Sequence, residues 1–165
     1  MAAPMRLLEF EIPADWVDYN DHLNDACHAI AFSRAGDAFM ERVGLGAAGR
    51  AATGRTIYTL GLIIRYHAEA RLGERIAIGT QILESDAKRL RFWLEARRVD
   101  DDRLISTSEQ VLICVDRTGA RPRAADFPAA VGASLRAIAR DHAGLAAPAQ
   151  AGQGLSLRRG PEQPD

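Results

Sequence analysis

From Arg6 to Ile12 the chain alternates, with Leu8, Phe10 and Ile12 on one side and Leu7, Glu9 and Glu11 on the other. That is the period of a half-buried strand, and Pro13, with no N–H to give a ladder, ends it. Residues Ala14 to Asp21 are mostly polar and read as an ordered loop. From Asp25 to Val43 the period becomes helical. Cys27, Ala31, Ala35, Ala38 and Phe39 share one face, small enough for a helix to lie close against a sheet. Asn24 or Asp25 can cap the first turn by accepting from its unpaired N–H groups, and Gly44 and Gly46 stop the helix. Ala47 to Arg55 reads as a connector.

Four strand-like runs follow. In Thr56 to Ala70 the even positions Tyr58, Leu60, Leu62, Ile64 and Tyr66 are apolar. Arg75 to Leu83 alternates through Ile76, Ile78 and Ile82. Lys88 to Arg98 sets Leu90, Phe92, Leu94 and Ala96 against Arg89, Arg91, Glu95 and Arg97, and Leu104 to Val115 is the last long run. Short turns at Leu72-Gly73-Glu74 and Asp100-Asp101-Asp102 make antiparallel pairing the economical arrangement. Pro128 to His142 predicts a terminal helix, with Val131, Leu135 and Ile138 on one face. The pattern predicts one long helix against a five-stranded antiparallel sheet, an α+β arrangement. The domain is expected to span residues 1–145. Residues 146–165 have too little apolar surface to offset their ordering entropy and are expected to be disordered.

Composition removes several classes of function. Hydrophobic residues make up 47% and charged residues 26% of 165, ordinary for a soluble globular chain. With 21 Lys and Arg against 22 Asp and Glu, no net field draws the chain to nucleic acid or an anionic membrane. The longest apolar stretch, Leu60 to Ile64, is too short to cross a bilayer. Residues Met1 to Phe10 lack the apolar run of a signal peptide. Two distant cysteines, Cys27 and Cys114, suit a reducing compartment, so the expected location is the cytoplasm. His22 and His28 are six apart, not the four that pairs metal ligands on a helix face, and no metal is expected. Gly44-Leu45-Gly46 follows a helix instead of opening one, which does not fit a dinucleotide fold.

Chemistry concentrates between the first strand and the helix. Asp18, Asn20, His22 and Asn24 are four polar groups at intervals of two. A carboxylate there can attack an acyl carbon or take a proton from water. Asn20 and His22 can orient the reacting groups, and the helix N-terminus behind them can support a developing oxyanion. The same residue types also cap helices and form Asx turns, so spacing alone leaves both readings open.

The segment Asp18-Tyr19-Asn20-Asp21-His22-Leu23-Asn24-Asp25 resembles the Asp-x-Asn-x-His-Val-Asn-Asn signature of hot-dog-fold acyl thioesterases, at Asp18, Asn20, His22 and Asn24. The Asp18 position also resembles the catalytic aspartate of the 4-hydroxybenzoyl-CoA thioesterase group. The likeness runs from about Arg6 to Val115. It includes Arg65-Tyr66, Glu69-Ala70 and Ser108-Glu109-Gln110. Trp16-Val17-Asp18-Tyr19-Asn20, Ile57-Tyr58-Thr59-Leu60 and Asp86-Ala87-Lys88-Arg89-Leu90 look most like betainyl-CoA thioesterases of bacterial carnitine breakdown. Two positions depart from the pattern. Members often carry Gly where this chain has Asp21, and several carry Glu where it has Gly61.

The resemblance implies a hot-dog fold and hydrolysis of an acyl-CoA, with Asp18 as nucleophile or general base and Asn20 and His22 assisting. It implies a homodimer or dimer of dimers with each site at a subunit boundary. No cofactor is implied, since CoA is part of the substrate. A trimethylammonium acyl group would be held by aromatic faces, with Trp16, Tyr19, Tyr58, Tyr66 and Trp93 as candidates and Asn24 beside them. Lys88, Arg89 and Arg91 are candidates for the CoA phosphates, or simply the solvated face of a strand. The competing expectations are a fatty acyl-CoA or aryl-CoA substrate, a non-catalytic module that binds acyl-CoA, and a dehydratase of the same fold.

Overall fold

The computed structural model describes residues 4–155. Strand β1 (Met5–Glu11) leads through a short 3-10 turn (Ala14–Trp16) to helix α1 (Asp25–Arg42). Helix α2 (Ala47–Thr53) follows, then β2 (Arg55–Tyr66), β3 (Arg75–Ser85), β4 (Arg89–Arg98) and β5 (Leu104–Asp116). A two-residue strand β6 (Arg123–Ala124) and helix α3 (Ala129–His142) complete the order. All strand pairings are antiparallel, in the order β1-β3-β4-β5-β2, with β6 beside the end of β5. The sheet wraps α1, the hot-dog arrangement.

The small face of α1 does what its size allows: Ala31, Ala35 and Gly36 are buried, and between them Phe32, Phe39 and Met40 reach into the sheet. Phe39 meets Phe92 of β4 with ring centres 5.7 Å apart. The inward rows of β3 and β4 (Ile76, Ile78 and Ile82; Leu90, Phe92, Leu94 and Ala96) are buried as their alternation requires. Helix α3 adds Val131 and Leu135 to the same core.

Three features differ from the sequence expectation. Ala47–Thr53 is a helix, not a connector: alanine favours it, Gly46 sits at its N-cap, and Gly54 ends it at φ +64°, a left-handed position suited to glycine. A sixth short strand, β6, joins the five expected. The even row of β2 is not half-buried throughout. Tyr58, Leu60, Leu62 and Tyr66 are exposed because β2 is an edge strand, and a bulge between Thr59 and Gly61 shifts its register.

The segment after α3 is held by polar bonds, which apolar counting does not register. Gln81 donates to the Ala146 carbonyl at 3.4 Å, the Gly152 N–H donates to both carboxylate oxygens of Glu109, and Arg65 donates to the Gln153 carbonyl. The expectation of disorder for the last ten residues, 156–165, lies outside the described residues.

Candidate active site

The residues from Val17 to Leu23 form a miniature hairpin. Val17 and Leu23 pair as an antiparallel bridge. Asp18 donates its N–H to the His22 carbonyl at 2.9 Å, and Asp21 donates to the Asp18 carbonyl at 3.0 Å. Asp21 closes the turn at φ +60°. Asp is among the residues that tolerate this left-handed conformation. The hairpin is stitched to the chain beyond β2: Leu23 donates to the Ala70 carbonyl at 2.8 Å, Leu72 donates to the Asp21 carbonyl at 3.3 Å, and His22 bridges Arg71.

Within this turn Asp18 is half-buried. Its Oδ1 accepts from the N–H of Asn20 at 2.8 Å and of His22 at 3.2 Å. The Asn20 N–H is the main reason its carboxyl lies below the ordinary carboxylate range; partial burial opposes this, and the His22 N–H and Asn20 side chain add to it. Oδ1 takes both backbone bonds, which leaves Oδ2 as the oxygen that can attack a carbonyl or take a proton. The Asn20 side chain is exposed. The His22 ring has its Nε2 3.2 Å from Oε2 of Glu69.

Helix α1 starts directly behind. Asn24 is its N-cap and accepts from the Ala26 N–H at 3.0 Å. Asp25 Oδ1 accepts from the same N–H at 2.8 Å, and the Cys27 N–H donates to the Asn24 carbonyl at 3.0 Å. Two first-turn N–H groups that sequence reasoning offers to an oxyanion are therefore already taken. Asn24 acts as a cap, and the carboxylate of Asp25 opposes part of the positive end of the dipole.

The candidate substrate residues fall into two groups. Near Asp18, Tyr19 is 95% exposed at the hairpin tip. Tyr66 is 55% exposed and reaches the Asp25 carbonyl with its hydroxyl at 3.4 Å. Its ring packs edge-on against His28, centres 5.1 Å apart, and His28 Nδ1 is 2.8 Å from the Ser106 hydroxyl. Burial pushes the His28 imidazole below its usual range. Trp16 is buried, edge-on to Phe10 at 5.5 Å, with the Arg34 guanidinium over its ring.

The second group lies at the opposite end of the sheet. Tyr58 pairs with Ile113, as does Arg89, whereas Tyr66 pairs with Ser106. Lys88 and Arg89 sit on the β3–β4 hairpin, where Asp86 accepts from both their N–H groups and from the Arg89 guanidinium, holding its carboxyl at about 2. A shallow cleft there is lined by Glu84, Asp86, Arg89, Arg91 and Val111. Trp93 is buried, its indole N–H bonded to Glu95 at 3.2 Å.

Sequence reasoning assigned no role to Glu69, which meets His22 of the loop, or to His28, which ties α1 to Ser106 of β5. Their partners are 47 and 78 positions away, and no local pattern announces such pairs. Among the described residues, no group of three or more His, Cys, Asp or Glu side chains is arranged to hold a metal. Nor is any described helix long and apolar enough to cross a membrane.

A family model described as the thioesterase-like superfamily matches residues 12–135. A betainyl-CoA thioesterase of Pseudomonas aeruginosa is 35% identical over 153 residues, covering 92% of this chain and 95% of that protein. An L-carnitine dehydrogenase/betainyl-CoA thioesterase of Rhizobium meliloti is 34% identical over 96% of this chain, which spans only 31% of that longer protein. Among solved structures, a putative thioesterase of Pseudomonas putida is 31% identical, with a TM-score of 0.81 over 95% of this chain and 99% of that one.

Proposed function

The chain belongs to the thioesterase-like superfamily and hydrolyses acyl-CoA thioesters, and we propose that its acyl group is small and cationic, betainyl-CoA, with Asp18 as the reacting carboxylate. The observation that carries this reading is the Asp18 carboxylate, fixed by the Asn20 and His22 N–H groups and kept ionised beside the start of α1. The relatives that carry betainyl-CoA thioesterase in their names, one of them matched almost end to end, supply the acyl group.

The thioester carbonyl carbon approaches Oδ2 of Asp18. Asp18 either bonds to that carbon, giving an anhydride that water then cleaves, or takes the proton of a water that adds to it. In both routes the carbon–sulfur bond breaks, CoA leaves as its thiolate, and the thiolate gains a proton. Asn20 and His22 fix the carboxylate through their backbone and line its approach with their side chains. A quaternary ammonium favours an aromatic face near carboxylates. The exposed rings of Tyr66 and Tyr19, with Asp25 nearby, offer one; Trp16 already has Arg34 over its ring. Asn24 supports the site as the cap of α1.

Lys88, Arg89 and Tyr58 act, in this proposal, from a second subunit. β4 is ten residues long, so its Arg89 end is about 30 Å from the end near Asp18, too far for a phosphate and thioester pair to be placed simply along one strand. Edge strand β2 presents unpaired backbone together with Leu60 and Leu62, 59% and 49% exposed, a surface suited to pairing with the same strand of a second copy. The assembly is a homodimer, or a pair of them, in the cytoplasm, with no nucleic-acid partner. Release of free thiol from betainyl-CoA, acetyl-CoA, a medium-chain acyl-CoA and benzoyl-CoA tests the assignment. The highest kcat/KM is expected for betainyl-CoA, and a preference for either of the last two would reassign the acyl group.

A further inference from the structure

Glu69 lies outside the motif that carries the chemistry, yet its carboxylate is the partner of the one ring in that motif. Three backbone links bring the two together. The Leu23 N–H donates to Ala70, His22 bridges Arg71, and Leu72 donates to Asp21, so the chain just past β2 runs beside the hairpin that holds Asp18. From there Glu69 Oε2 comes within 3.2 Å of His22 Nε2.

The Glu69 side chain is otherwise exposed, and the His22 ring is about a quarter exposed. The fold therefore does not need this carboxylate for packing. A neutral imidazole carries one proton, and an ionised carboxylate can only accept. The contact therefore places that proton on Nε2 and leaves Nδ1 with its lone pair. The same histidine donates its backbone N–H to Asp18, so the residue whose ring Glu69 orients is tied to the reacting carboxylate through its backbone.

We propose that Glu69 is a positioning residue for the hydrolysis: it fixes His22 as the Nε2–H tautomer, so that Nδ1 is an acceptor for the attacking water at Asp18. The catalytic consequence rests on the reading of Asp18 given above, whereas the tautomer does not, and the two can fail separately.

The test uses the full-length protein in four forms, wild type, Glu69→Gln, Glu69→Ala and Asp18→Asn, each checked for a native amide spectrum. Long-range proton–nitrogen NMR reads the His22 tautomer, and thiol release from betainyl-CoA reads kcat and KM. Wild type and Asp18→Asn are expected to show Nε2–H. Glu69→Ala is expected to mix the two tautomers and to lower kcat about ten- to a hundredfold, the scale of a misplaced reacting group, with KM within about threefold. Glu69→Gln keeps an oxygen acceptor and is expected to retain the tautomer and most of kcat. A tautomer unchanged in Glu69→Ala, or an altered tautomer with wild-type kcat, would overturn the proposal. Full activity in Asp18→Asn would instead overturn the reading of Asp18.

Discussion

The Arg34 guanidinium lies 4.8 Å from the centre of the Trp16 ring. Arg34 comes from α1 and Trp16 from the turn leading to the hairpin, so the contact fastens the helix to the loop that carries Asp18. It also occupies an aromatic face that a cationic substrate would otherwise use. Arg34→Ala is expected to cost about 0.5–1 kcal/mol in denaturant unfolding and to leave KM for betainyl-CoA within about twofold. Tyr66→Leu is expected to show the reverse: near-native stability and a KM raised about five- to thirtyfold, corresponding to about 1–2 kcal/mol of lost cation–π attraction.

In the proposed assembly, edge strand β2 forms the seam between subunits. Leu62→Lys, or Leu60→Lys at the bulge, places a charge in the strand-to-strand seam while touching none of the buried core. Light scattering after size exclusion is expected to show wild type as a dimer or larger and the variants as folded monomers. Thiol release by the monomers should fall at least tenfold, since Lys88, Arg89 and Asp18 would no longer meet. A fully active monomer would return both groups to one subunit.

That division of labour also predicts complementation. Asp18→Asn and the double variant Lys88→Ala/Arg89→Ala should each be impaired alone. After mixing under conditions that exchange subunits, each mixed dimer would hold one site with native Asp18 and native Lys88 and Arg89. Partial recovery of kcat/KM is therefore expected. No recovery would mean that these residues serve the same subunit's site.

Burial pushes three imidazoles, His28, His67 and His142, below the usual histidine range, with the Arg65 charge adding to the effect at His67. His142 Nδ1 accepts the Ile82 N–H at 3.0 Å, a bond available only to the unprotonated nitrogen. Since the folded state resists protonation, the unfolded chain binds more protons once pH falls below about 6.5. Stability should thus be full above that pH, fall as pH drops through the range below it, and level off below the depressed folded values. Urea midpoints at pH 7.5 and 5.5 check this, and His142→Gln should show a smaller drop between them than wild type.

Much of the fold is visible in periodicity, because α1 and the long strands bury rows that alternate at 3.6 or 2 residues. Gly44 marks the end of α1 as expected, but Gly46 and Gly54 punctuate a further helix between them, and glycines on both sides made Ala47–Thr53 look like a linker. The apolar row of β2 identifies a strand and not its neighbour: Leu60 and Leu62 are exposed because the sheet order places β2 at the edge. At the site, Asp18, Asn20 and His22 are within five residues and legible together, as is the cap at Asn24. Glu69 and the His28–Ser106 pair depend on tertiary neighbours, and the role proposed for Lys88 and Arg89 depends on a second subunit. The polar seat of Gly152 on Glu109 has no apolar signature at all.

The most direct measurement is thiol release from betainyl-CoA by wild type beside Asp18→Asn, at equal folded concentration. The amide is nearly isosteric and can still accept from the Asn20 and His22 N–H groups, so the fold should be kept while the charged oxygen is lost. Wild type is expected to turn over, and the variant to lose at least a hundredfold in kcat, the scale of a missing general base or nucleophile. Equal turnover by a natively folded Asp18→Asn protein would contradict the account.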